Sequence, residues 1–120
     1  MSKYDSFEDM TVWKRGMNLA VQIFSLTEKL PKSEDYGLKS QLRRASVSIS
    51  SNIAEGFGRK HTKDKLNFYY DARGSLSEVK SQLIYGGKVK YFTESELNSC
   101  FSEINYLWKE LNALIASMTV

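Results

Sequence analysis

Apolar residues recur at helical spacing in four successive blocks, and this pattern limits the possible folds more than any other feature of the sequence. Three or four residues separate the apolar positions, which places them on one face of an α-helix. No block shows the period-two alternation of a half-buried strand. The blocks predict helices over about 7–30, 37–56, 62–87 and 93–118. Because short connections make consecutive helices antiparallel, we expect an all-α fold, an antiparallel up-down-up-down four-helix bundle, as a single domain over residues 1–120.

Signals at the ends of the blocks support these boundaries. Thr93 and Glu96 have the spacing of a capping box, and Ser6 with Asp9 is a variant of the same motif. Pro31 is expected to end the first helix, because its ring disfavours helical geometry in the residue before it. Glycines, which readily adopt the left-handed conformation of a C-cap, are expected to end the second and third helices: Gly56, Gly58, Gly86 and Gly87.

The composition fits a small cytoplasmic protein. A chain of 120 residues, 42% of them hydrophobic, can bury a core without disulfides or metals. Cys100 is the only cysteine, so no internal disulfide forms, as is usual in a reducing compartment. No apolar run follows the lysine near the N-terminus, and no segment approaches the roughly 18 apolar residues of a membrane span. We therefore expect a cytoplasmic location and no membrane partner.

The residues that carry most enzyme chemistry are scarce. His61 is the only histidine, and Cys100 lies on an apolar helix stripe where cysteine acts as a small hydrophobic residue. One histidine and one cysteine do not make a zinc site. A helical ribonuclease class places an arginine shortly before its histidine, but Ala54, Glu55 and Gly56 occupy those positions here. The sequence predicts no catalytic residue, no metal and no cofactor, so a nuclease is the least favoured reading.

Positive charge is concentrated in the middle of the chain. The net charge is +3, whereas residues 39–65 alone carry seven basic and two acidic side chains. Such a segment is a possible anion-binding surface, and arginine pairs with phosphate in a two-pronged geometry. The candidate nucleic-acid-binding residues are Lys39, Arg43, Arg44, Arg59, Lys60, Lys63 and Lys65. The alternative is a solvated helix face with a charged turn.

Two further questions stay open at the level of sequence. Arg43 and Arg44 project about 100° apart on a helix, so one of them can be buried in a salt bridge with Glu55 or Glu78. The two carboxylates suit acid–base chemistry, but more simply accept hydrogen bonds within the bundle. We interpret four residues as a structural polar network: Asn52, Glu55, Ser75 and Glu78.

Several short segments together resemble a known family. They are Phe7-Glu8-Asp9, Val12-Trp13-Lys14, Tyr36-Gly37-Leu38, Gln41-Leu42-Arg43-Arg44-Ala45, Ser48-Ile49, Asn52-Ile53-Ala54-Glu55-Gly56, and Gly74-Ser75 with Glu78 and Leu83. The pattern resembles the bacterial four-helix-bundle proteins encoded in 23S ribosomal RNA intervening sequences, and is similar to the accessory variability proteins of diversity-generating retroelements. The resemblance implies a bundle that assembles into a ring, typically a pentamer, with a basic surface. Its retroelement members bind nucleic acid and a reverse transcriptase.

Two functional hypotheses follow. The first is a non-enzymatic, homo-oligomeric, pentameric accessory protein that binds RNA or DNA through a basic surface, since a ring multiplies weak phosphate contacts. The alternative is a protein-interaction module that docks onto an RNA-processing or reverse-transcriptase-type partner and has no direct role with nucleic acid.

Overall fold

The computed structural model describes residues 4–119 and contains four α-helices. They are α1 (Thr11–Thr27), α2 (Leu38–Phe57), α3 (Thr62–Lys88) and α4 (Glu94–Met118). Two short 3-10 turns, Phe7–Asp9 and Lys32–Glu34, precede α1 and α2. No strand occurs between residues 4 and 119, and the molecule measures 47 × 24 × 21 Å. The all-α prediction is confirmed.

The helices form a bundle in which each helix packs against two others. The packed pairs are α1 with α2, α2 with α3, α3 with α4, and α4 with α1. Direct contacts give the direction of each helix: Ser48 of α2 meets Ser75 of α3, and Gln41 meets Gln82. Residue numbers fall along one helix as they rise along the other, so the pair is antiparallel. In the other three pairs, too, the contacting residue numbers rise along one helix as they fall along the other. All four pairs are therefore antiparallel, which is the expected up-down-up-down arrangement.

Aliphatic side chains from all four helices fill the core. They recur at intervals of three or four residues, so each helix turns one apolar stripe inwards. The largest fully buried apolar side chains are Leu19, Ile23, Leu42, Ile49, Ile53, Leu76, Leu83, Leu107, Leu111, Val79 and Cys100. This packing of stripes against one another is what the periodic sequence pattern predicts.

The first helix is shorter than the sequence predicts. Ser6 caps the 3-10 turn by accepting a hydrogen bond from the Glu8 backbone, and the extended, buried residue Met10 separates this turn from α1. At the other end, the Arg43 side chain of α2 donates to the Phe24 carbonyl oxygen. The Glu28 backbone N–H donates to the carbonyl oxygen of Ser25, three residues earlier, and not to that of Phe24, four residues earlier. This is the 3-10 hydrogen-bond pattern common at the end of an α-helix. An arginine from a neighbouring helix thus binds at the α1 end before Pro31 is reached.

The capping box of α4 is confirmed, but the left-handed conformation predicted for the helix-ending glycines is not. Gly56 lies inside α2 against the Tyr69 ring, and Gly86 lies inside α3 against the Phe92 ring. These two glycines permit close approach of an aromatic ring, and no described glycine has a positive φ. The left-handed residue after α3 is instead Lys90, with φ of 68°. Helix α3 therefore extends past Gly86 and Gly87. Helix α2 extends past Gly56 but ends as expected at Gly58, its C-cap, which has a φ of −76° and is not left-handed.

Candidate nucleic-acid interface

The seven predicted basic residues lie in two groups near opposite ends of α2. The first group, in the first two turns of that helix, consists of Lys39, Arg43 and Arg44. The second group surrounds the turn between α2 and α3 and consists of Arg59, Lys60, Lys63 and Lys65. Arg44 and Arg59 are 15 residues apart, which is about 22 Å along a helix axis. One protomer therefore does not gather all seven cations into a single patch.

The partly buried side chain of Arg43 is held against the end of α1 by its neighbours. Its Nε donates to the Thr27 hydroxyl at 2.9 Å, and its Nη2 donates to the Phe24 carbonyl at 3.0 Å. The same Nη2 pairs with Glu28 at 3.2 Å, and the guanidinium lies 4.0 Å from the Phe24 ring centroid. This settles the question that the sequence left open. Arg43 is the arginine that forms a partly buried salt bridge, and its partner is Glu28 rather than Glu55 or Glu78.

Two lysines of the predicted set are also engaged. Lys65 donates from Nζ to the carbonyl oxygens of Phe57, at 2.7 Å, and Gly56, at 3.3 Å. It therefore binds carbonyls at the end of α2, where a helix leaves acceptors unpaired and a cation is favoured. Lys39 pairs with Asp35 at 3.7 Å, one helical turn away. Both side chains are half-buried, and both have a partner within the chain.

The remaining four cations are exposed to solvent. Within residues 4–119, Arg44, Lys60 and Lys63 form no ion pair and no side-chain hydrogen bond. Arg59 makes a long contact of 3.7 Å with Glu55, and its guanidinium lies 4.8 Å from the centroid of the Phe68 ring. Lys60 and Lys63, with Arg59 beside them, make the α2–α3 turn the densest group of exposed cations in the predicted set.

The predicted polar network exists in part and has a different centre. Asn52 donates to the Ser48 carbonyl at 2.8 Å and to the Ser48 hydroxyl at 3.0 Å, and that hydroxyl bonds the Ser75 hydroxyl at 3.0 Å. Ser48 thus joins α2 to α3. The two carboxylates are outside this network, which corrects the prediction. Glu55 is exposed and faces Arg59, whereas Glu78 accepts from Gln82 one turn away.

The side chains best suited to catalysis are not assembled into a reaction centre. His61 is exposed at the N-cap position of α3 and makes no side-chain cap bond. Cys100 is buried, and burial with the nearby Glu96 charge raises the pKa of its thiol to about 11. Over residues 4–119, no three His, Cys, Asp or Glu side chains are placed to hold a metal ion. In the same range, no helix has the length and apolar character needed to cross a bilayer.

The model of one protein family, described as 23S rRNA-intervening sequence protein, matches residues 8–113. The chain belongs to this family. The match includes all of α1, α2 and α3 and most of α4, so the resemblance found in the short segments extends through the bundle.

A solved structure has the same fold as this chain. It is the crystal structure of a protein of unknown function from the S23 ribosomal protein family, from Bacteroides thetaiotaomicron VPI-5482. The TM-score is 0.79 at 20% sequence identity, over 88% of this chain and 98% of the other. No curated protein matches the sequence.

The chain also carries a second group of cationic and aromatic side chains that the sequence did not single out. It lies between α3 and α4, where the half-buried Arg73 contacts the exposed rings of Tyr70 and Trp108. Leu107 and Trp108 are adjacent in α4, and both are residue types that suit its apolar stripe. The structure buries Leu107 completely and leaves Trp108 42% exposed. Adjacent residues on a helix project about 100° apart, so the one sequence signal for an exposed Trp108 is its position directly after the core residue Leu107.

Proposed function

We propose that this protein is a non-enzymatic, homo-oligomeric accessory factor of the cytoplasm that binds RNA or DNA through phosphate contacts. The observation that carries the proposal is the α2–α3 turn, which presents Arg59, Lys60 and Lys63 to solvent within five residues. Lys60 and Lys63 have no acidic partner in the described chain. Unpaired, exposed cations are the groups that exchange their counterions for nucleic-acid phosphates.

The local structure of the turn supports this role. Lys65 is bonded to the end of α2, which fixes the turn relative to the bundle while the other cations point outwards. The first turn of α3 begins here without a side-chain cap, so its backbone N–H groups add partial positive charge at the same place. Asp64 offsets part of this charge. The turn nevertheless holds four cations and one carboxylate between residues 59 and 65.

The structure narrows the set of residues proposed to bind nucleic acid. Lys39, Arg43 and Lys65 have partners within the chain, so we assign them to stability. Arg44 stands alone near the other end of α2 and adds one further contact. The binding residues proposed are therefore Arg44, Arg59, Lys60 and Lys63.

Self-association is part of the proposal, because a few phosphate contacts on each protomer bind weakly unless they are repeated. Adjacent helices α1 and α2 expose apolar side chains that a monomer has no need to expose: Met17, Val21, Phe24 and Val47. Such residues are typical of an interface when they lie on neighbouring elements. A pentameric ring is proposed from the resemblance to ring-forming members of the family.

The test is a binding titration of the full chain with a labelled RNA and a labelled DNA over a range of salt concentrations. The variant R59A/K60A/K63A is compared with K14A/K32A/K88A, which removes three exposed, unpaired lysines elsewhere. Both variants lose the same net charge. Selective loss of affinity in the first supports the turn as the interface, whereas equal affinities for the two variants contradict it.

The second candidate function is docking onto an RNA-processing or reverse-transcriptase-type protein. It is favoured by a cluster of exposed apolar side chains near the end of α3, formed by Ile84, Tyr85 and Val89. Recovery of such a partner with the purified protein after nuclease treatment, together with loss of recovery in I84S/Y85S, supports docking. Recovery that disappears with the nuclease contradicts it.

A further inference from the structure

We propose that the groove between α3 and α4 around Trp108 is a stacking site for an unpaired base of single-stranded nucleic acid. This inference rests on the proposed nucleic-acid-binding function and adds a second surface to the α2–α3 turn. The turn supplies phosphate contacts, which do not distinguish single strands from duplexes. An exposed tryptophan supplies a flat apolar face on which a base stacks, and a base is free to stack only where it is unpaired.

Two aromatic rings are held in place by one arginine. The Arg73 guanidinium lies 5.1 Å from the Tyr70 ring centroid and 5.8 Å from the Trp108 ring centroid. Its Nη1 donates to Asn112 Oδ1 at 2.8 Å, which fixes the guanidinium across the two helices. The rings are 41% and 42% exposed. The contacts therefore orient the rings and still leave ring surface open to solvent.

A depression of about 190 Å³ lies beside Trp108 in the same groove. Leu76 and Ile104 form its apolar floor, and Ser77 and Asn105 provide a hydroxyl and an amide at its edge. Lys80 completes the lining, in which no residue is acidic. An apolar floor with a few polar groups at the edge suits a flat heteroaromatic ring with hydrogen-bonding edges.

The carboxylates of both helices are directed away from the groove. On α4 they recur every seven residues, at Glu96, Glu103 and Glu110. Glu103 and Glu110 contact Arg15 of α1, and Glu96 contacts Lys29, just after the end of α1. The remaining carboxylate of α4, Glu94, lies in its first turn, roughly 16 Å along the axis from the Asn105 position.

The same spacing governs the acidic residues of α3. Asp64, Asp71 and Glu78 recur every seven residues, and Glu78 is bonded to Gln82, whose amide reaches Gln41 of α2. That stripe therefore lies on the side of α3 nearer to α2.

Two cations lie in the groove without an acidic partner in residues 4–119: Arg73 and Lys80. A surface with aromatic faces, cations and no carboxylate complements a polyanion that carries bases. A cationic ligand would find no carboxylate to pair with in the lining of this groove. A single strand matches both the charge and the aromatic face, because its backbone phosphates can contact Lys80 while one base lies on Trp108.

The experiment measures intrinsic tryptophan fluorescence of the full chain during titration with a short oligothymidylate. Wild-type emission is expected to be quenched as the oligonucleotide binds. W13F removes the other tryptophan, which contacts Phe7, and is expected to keep the quenching. W108A is expected to bind the labelled oligonucleotide about 5- to 150-fold more weakly, the range for loss of one stacked base, and W108F less so. Affinity for a duplex of equal length is expected to stay unchanged in W108A.

Comparison with R59A/K60A/K63A separates this inference from the proposed function. Weaker binding of single strands by W108A supports the stacking site, whether or not R59A/K60A/K63A also binds more weakly. Unchanged affinity in W108A overturns the stacking site, and the turn remains the interface if its own variant binds weakly. Absence of binding by wild type at low salt overturns both. A changed mass of W108A in solution, with unchanged oligonucleotide affinity, identifies the groove as a contact between copies and also overturns the inference.

Discussion

The Arg43 side chain of α2 and the Thr27 hydroxyl of α1 are joined by a hydrogen bond of 2.9 Å from Nε. Thr27 is fully buried, and its hydroxyl donates in turn to the Ile23 carbonyl at 2.7 Å. The guanidinium also reaches the carbonyl of Phe24 and the carboxylate of Glu28, so one side chain occupies several acceptors at the end of α1. This places Arg43 among the residues that hold the bundle together.

Replacement of Arg43 by alanine is expected to lower the free energy of unfolding by about 2–3 kcal/mol, because hydrogen bonds made by a charged group are lost and a buried hydroxyl loses a partner. Denaturant titration measures the change. The adjacent Arg44 is the matched control, since it is exposed and unpaired in the described chain. Arg44→Ala is expected to change stability by less than about 0.5 kcal/mol. Equal effects of the two substitutions would contradict the assignment.

Two glycines of the bundle are expected to respond to alanine in opposite directions. A Cβ added to Gly16 meets Ile49 Cγ2 at 3.4 Å, so Gly16→Ala is expected to stabilise the helix by about 0.5–1 kcal/mol. A Cβ added to Gly56 lies 2.7 Å from Tyr69 Cε1 and 3.2 Å from the Lys65 carbonyl oxygen, so Gly56→Ala is expected to destabilise. Thermal unfolding of both variants checks the signs. Stabilisation by Gly56→Ala would show that the Tyr69 ring does not pack as described.

The left-handed backbone at Lys90 carries a cost that glycine relieves. At φ of 68°, a side chain is disfavoured by roughly 1 kcal/mol, so Lys90→Gly is expected to raise the melting temperature. Lys90→Ala is the control, because it removes the charge and keeps the Cβ. A gain in the alanine variant equal to that in the glycine variant would trace the effect to charge instead of backbone conformation.

Glu96 links stability to pH on the acid side. The hydrogen bond from the Lys29 ammonium, with that from the Thr93 backbone, holds the pKa of Glu96 below its ordinary value of 4.5. The charged form is therefore favoured by folding, and its contribution is present above pH 4.5 and lost as the pH falls through the lowered pKa. Denaturant unfolding between neutral and acid pH is expected to show a smaller acid loss for Glu96→Gln than for wild type. Identical pH profiles would contradict this.

Much of the fold could be predicted because its determinants are local. The spacing of apolar residues fixes which face of each helix is buried, and Thr93 with Glu96 specifies the start of α4 within four residues. The end of α1 and the role of Gly86 in α3 were misjudged for the opposite reason. An arginine from α2 binds at the end of α1, and an aromatic ring, Phe92, fills the space beside Gly86. Neither contact can be predicted from the sequence of the helix end that it affects, because Arg43 and Phe92 lie outside that segment.

The candidate site was harder to predict, because exposure of a cation depends on what lies opposite it in the bundle. Arg43 and Arg44 are adjacent and chemically identical, yet only Arg43 points towards α1 and Glu28. Glu28 is 15 residues from Arg43, and no local pattern connects them. The exposure of Tyr70 and Trp108 beside Arg73 could not be predicted from the sequence, because an aromatic residue at either position also suits the core. Only the packing of α3 against α4 distinguishes an exposed ring from a core ring.

The central claim is that the α2–α3 turn binds nucleic-acid phosphates, and the most direct test is the salt dependence of affinity for wild type and R59A/K60A/K63A. Each phosphate contact contributes a slope of about −0.9 for duplex DNA, or about −0.7 for single strands, to the logarithm of affinity against the logarithm of salt concentration. We expect a steep slope for wild type and a shallower one for the variant, which loses up to three contacts per protomer, with oligomer mass and folding unchanged. The same slope and affinity in both proteins would contradict the account.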